Sequence, residues 1–155
     1  MDTLVYSSSI FLIPIQLAAF KKEYILMNVI ICLLLTSWAH HSNIHFRYID
    51  NINNNNNINS ISNNNSTEYT DTIYDTLDNY MCYYAIYYTY MYAVFFCTPR
   101  QCILHLICLF GVFINYYYVN QNVNYLERGI KNWKYHINHI LMHVSACCGF
   151  IAILV

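Results

Sequence analysis

Residues 35–41 of this chain read LTSWAHH, and residues 137–155 read INHILMHVSACCGFIAILV. The first ends, and the second forms, a stretch apolar enough to sit in a bilayer, yet both carry imidazoles. Ser37 and His41 stand four apart, which places them on one face of a helix. His136, His139 and His143 follow the i, i+3, i+7 pattern of a single helical stripe, with His143 about 10 Å along the axis from His136. An ionisable group inside a membrane is costly to leave unpaired and normally faces a bundle interior or a water-filled cavity. Neutral imidazole is the commonest zinc ligand, and three of them leave a fourth position for water. Two such helices facing each other would place His41, His139 and His143 around one zinc ion.

The elements that must position these residues are helices. A spanning helix needs about 20 mostly apolar residues, and five segments come close: about 4–20, 24–41, 80–97, 102–119 and 137–155. Segment 4–20 is the shortest, and three serines and Pro14 interrupt it. A signal peptide is the competing reading there, disfavoured by Asp2 where a positive start is usual. Segment 80–97 is rich in tyrosine, but an isolated strand cannot satisfy its backbone in lipid, so helix is expected. The fold class that follows is all-α, a multi-pass transmembrane helical bundle of four or five spans in one membrane domain. Residues 51–72, NINNNNNINSISNNNSTEYTDT, cannot bury enough apolar surface to offset the entropy of ordering them, and a disordered Asn-rich loop is expected.

Alternation of the spans brings the end of 24–41 and the start of 137–155 to the same membrane face, so His41 and His139 share a depth. Acidic residues are scarce. Asp78, in YDTLDNYMCYY, lies at the start of segment 80–97 on that same face and is the best-placed carboxylate to hold a metal-bound water. Asp50 is the second choice, while Glu68 and Asp71 read as loop solvation.

The pattern of S-x-x-x-H, then Asp near the next span, then H-x-x-x-H in the last span, resembles the superfamily of membrane hydrolases that contains alkaline ceramidases and progestin/adiponectin receptors. The resemblance implies that His41, His139 and His143 hold zinc. It further implies that Ser37 and Asp78 orient the bound water, and that the substrates are lipid amides or esters. The alternative expectation is a non-catalytic membrane scaffold or assembly subunit, whose polar residues join helices.

Composition narrows the choice. The 155 residues are 57% hydrophobic and only 10% charged, against about 25% charged in an ordinary soluble domain. A net charge of −1 supplies no basic field for nucleic acid, so the expected partners are membrane lipids and the expected location is integral to a membrane. The seven cysteines form no C-x-x-C pair, all fall in or at the ends of apolar segments, and read as buried thiols. His40, His45 and His136 suit a membrane boundary, and His105 falls towards the opposite face. No Gly-rich phosphate loop and no G-x-S-x-G elbow is present.

Overall fold

A computed structural model describes residues 3–55, 64–121 and 133–155. Its elements are α1 (Thr3–Ser8), a 3-10 turn (Ser9–Phe11), α2 (Leu12–Phe20), α3 (Tyr24–Asn55), α4 (Asn64–Phe96), α5 (Pro99–Gln121) and α6 (Trp133–Leu154). Among the described residues there is no strand, and the all-helical bundle expected from the sequence is what the chain forms. Three of its helical segments, Tyr24–Ser42, Pro99–Val119 and Tyr135–Leu154, are long and apolar enough to cross a membrane. Tyr6–Phe20 is a shorter apolar helix. The tyrosines of 80–97 lower its hydropathy and keep α4 out of that group, although the segment is helical throughout its range to Phe96. Rings on α4 stack at i, i+4, with centroids of Tyr84–Tyr88 and Tyr88–Tyr92 6.3 and 6.4 Å apart.

Local chemistry explains the breaks. Pro14 has no N–H, and its ring would strike the carbonyl of Ile10 in a continuous α-helix; the 3-10 turn Ser9–Phe11 falls where that carbonyl must move. Helix α2 ends in a Schellman motif. Lys22 takes the left-handed conformation at φ 62, its N–H bonds the carbonyl of Ala19 at 3.1 Å, and the N–H of Glu23 bonds that of Ala18 at 2.9 Å. Helix α5 opens with a capping box, T-P-R-Q. The Thr98 N–H donates to Gln101 Oε1 at 2.8 Å, the Gln101 N–H reaches back to Thr98 Oγ1 at 3.4 Å, and Pro99 occupies the first helical position. Helices α3 and α4 run into the two ends of the Asn-rich stretch. The centre of that expected loop, residues 56–63, lies outside the described residues.

Helix α3 buries Leu26, Val29, Ile30, Leu33 and Leu34, and the same stripe continues into Ser37 and His41. Helix α6 buries His139, His143, Cys147, Phe150 and Leu154 on one face. Small residues on α4, Ala85, Thr89 and Ala93, turn inward at i, i+4 spacing and let helices approach closely. The first rod, α1 to α2, packs against both α3 and α6, contributing Phe11 and Ala18 to the shared core. Among the described residues no Cα of α3 lies within 8 Å of a Cα of α6. Side chains, with α1 and α2 beside them, fill the space between those two helices.

Candidate metal centre

Continuation of two apolar stripes into polar residues builds the site. His41 is 0% exposed, His143 5% and His139 7%, each carried inward by the period that buries leucine and phenylalanine further along its helix. The three rings converge. Nε2 of His139 lies 3.0 Å from Nε2 of His41, and one ligand atom from each of the three residues lies within 4.8 Å of the others. Ring centroids are 4.6 Å apart for His41–His139 and for His139–His143, and 5.8 Å for His41–His143, with every pair tilted or edge-on.

These distances suit a metal ion. Two nitrogens held by one tetrahedral zinc at about 2.0–2.1 Å stand about 3.4 Å apart, close to the spacing between His41 and His139. The donor set fits as well, because three neutral imidazoles are the ligand complement of a catalytic zinc with an open position. The far nitrogens, Nδ1 of His41 and of His139, are buried with no hydrogen-bond partner among the described residues. A buried imidazole with an unsatisfied nitrogen costs about 1–3 kcal/mol.

The walls are apolar. Phe11 meets His143 at a tilt with centroids 5.5 Å apart and meets Phe150 edge-on at 6.0 Å. Tyr135 lies 5.5 Å from the His139 ring.

The structure thus brings together the three histidines singled out in the sequence. Ser37 is buried one helical turn before His41, where its Oγ lies 2.9 Å from Oγ of Ser8. Asp78, on α4, is half-buried and stands outside the group of converging ligand atoms. The side chain of Asp50 lies outside the described residues. His105 lies apart from the cluster, donating from Nδ1 to the carbonyl of Gly149 at 3.0 Å while its Nε2 is buried with no hydrogen-bond partner among the described residues. A Cβ added to Gly149 would meet that ring nitrogen at 3.2 Å, so glycine is what lets α5 and α6 come this close.

Two residues of the centre were not legible in advance. Ser7 places its Oγ 3.0 Å from Nδ1 of His143, and Ser8 is the partner of Ser37. Their signal was the serine run in segment 4–20, which reads in isolation as a defect in a spanning helix. No family model matches the chain, and neither a curated protein nor a solved structure matches it.

Proposed function

We propose that this chain is an integral membrane protein whose three-histidine cluster holds zinc and hydrolyses amide or ester bonds in lipids. The observation that carries the reading is the convergence of His41, His139 and His143, buried, from two helices that are each long and apolar enough to span a bilayer. The outer surface supports the membrane setting. Phe95, Phe96, Ile107 and Phe110 are each at least 63% exposed, which would be an aggregation liability in water and is the ordinary surface of a helix in lipid. The centre lies at the end of Tyr24–Ser42 and the beginning of Tyr135–Leu154, a depth where an acyl chain and a polar headgroup meet.

Zinc bound there would lower the pKa of a water molecule towards neutrality and polarise a carbonyl. The three histidines would hold the ion and leave its fourth position open for that water. Asp78, half-buried on α4, would be the general base that takes the proton from that water and returns it to the leaving group. Ser37, fixed by Ser8, orients that water. The S-x-x-x-H and H-x-x-x-H spacings, shared with the alkaline ceramidase and progestin/adiponectin receptor superfamily, favour the same assignment.

Metal analysis of the detergent-purified chain, with a lipid amide and a lipid ester as substrates, tests the reading. Wild type retains one zinc; His139→Ala and His143→Ala lose both metal and turnover; Asp78→Asn keeps metal and loses about 10²–10⁴-fold in rate. Absence of zinc from protein purified with zinc in the buffers overturns it. In that event the 3.0 Å contact between His139 and His41 favours the second reading, a scaffold in which imidazoles join α3 to α6 by a hydrogen bond.

A further inference from the structure

We propose that Ser7 is a positioning residue of this centre, its hydroxyl holding Nδ1 of His143 so that Nε2 is left as the ligand atom. The inference rests on the zinc reading above and extends the site to the first helix of the chain.

Tautomer logic carries the argument. An imidazole that ligates through Nε2 must keep its proton on Nδ1, and a metal-bound histidine normally donates that N–H to an outer partner. Ser7 Oγ stands at 3.0 Å from Nδ1 of His143, in place to accept. The opposite arrangement, with the hydroxyl donating to Nδ1, would put the proton on Nε2 and remove it as a ligand. Phe11, one helical turn after Ser7, lies against the same ring, tilted 56° to it with centroids 5.5 Å apart. The Ser7 hydroxyl, beside a hydrogen bond to the backbone of the same residue, favours the tautomer with the proton on Nδ1, and the phenyl ring restricts the rotation of His143.

His143 is distinguished from its neighbours by this contact. The corresponding nitrogens of His41 and His139 have no hydrogen-bond partner among the described residues. Helix α1 is also placed to serve as a brace, since it packs on α3 and α6 while those two do not approach within 8 Å at their Cα atoms. Ser8, the next residue, bonds Ser37 on α3. Adjacent serines of one short helix thereby hold one polar member of the site on each of the two helices that form it.

The test is zinc affinity of the full chain in detergent, measured by competition with a chromophoric chelator, together with the visible spectrum of the cobalt(II)-substituted protein. Ser7→Ala is expected to weaken zinc binding about 10–100-fold, the usual effect of removing an outer-sphere partner, and to shift the cobalt bands. Ser7→Cys keeps the volume but offers only a weak acceptor, and it should match Ser7→Ala. Ser7→Thr retains the hydroxyl and should restore the wild-type affinity and spectrum. If wild type binds zinc, His143→Ala abolishes binding and Ser7→Ala or Ser7→Cys binds as tightly as wild type, the positioning role is overturned and the zinc reading stands. Weakened binding that Ser7→Thr does not restore also overturns it, because the loss would then come from packing. Failure of the wild type itself to bind zinc removes the zinc reading first.

Discussion

The two ends of this bundle solve opposite problems. At the end carrying the turns 21–23 and 97–98, turn and cap groups bond within a few residues, and two side chains reach backbone carbonyls of α6. Lys22 and Glu23 close α2 by backbone hydrogen bonds, Thr98 and Gln101 cap each other, and Cys97 Sγ lies 3.6 Å from the carbonyl of Ile153. His105, on the first turns of α5, gives its Nδ1 proton to a backbone carbonyl. At the other end three imidazoles crowd together, and two keep a buried nitrogen without a partner. Histidine is buried in both regions, but in one it locks two helices and in the other it gathers lone pairs.

The largest effect should separate the two kinds of histidine. His41→Ala is expected to abolish zinc binding outright while leaving a folded protein. His105→Ala should keep the stoichiometry of zinc and lower stability by about 1–3 kcal/mol, from lost packing and a lost buried hydrogen bond. Metal content and thermal unfolding of the two variants, side by side, measure this. Zinc loss in His105→Ala with retention in His41→Ala would reverse the comparison.

A smaller effect tests how tightly α5 and α6 are joined. Gly149→Ala puts a methyl 3.2 Å from His105 Nδ1 and 3.3 Å from Cys108 Cβ, tighter than most packed Cβ contacts, so the His105 ring and the α5 backbone at Cys108 must give way. A destabilisation of about 1–3 kcal/mol is expected, as for overpacking in general, with zinc affinity unchanged because the strain lies towards the far end of α6. Smallest should be Thr98→Ala, which removes a helix cap on an exposed turn at a cost of about 0.5–2 kcal/mol. Denaturant titration in detergent reads both. A change in metal affinity in either variant would show that the two ends are coupled.

Much of this is legible in the sequence. Segment 24–41 is long and apolar enough to announce a helix, and its period, Leu26, Val29, Ile30, Leu33, Leu34, names the buried face that Ser37 and His41 extend. His139 and His143 are marked in the same way by the stripe that ends in Phe150 and Leu154. Asn-rich residues 51–72 gave no such period, so the helical flanks of that stretch could not be read; a helix nucleated in the adjoining apolar segment extends over asparagine at only a modest cost per residue. Ser7 and Ser8 were missed for a different reason. Polar residues in a spanning segment reveal a need for a partner but not who the partner is.

The order of residues alone determined which side of each helix is apolar, because 3.6 residues per turn is a local property of the backbone. It could therefore place His41 on one stripe and His139 with His143 on another. Whether those stripes face each other, and at what distance, was decided by tertiary packing: α1 and α2 lean on both helices, and the rings meet while the α3 and α6 backbones stay apart. Separation between helices depends on the bulk of whatever lies between them, and that is set by contacts remote in sequence, such as Ser7 with His143.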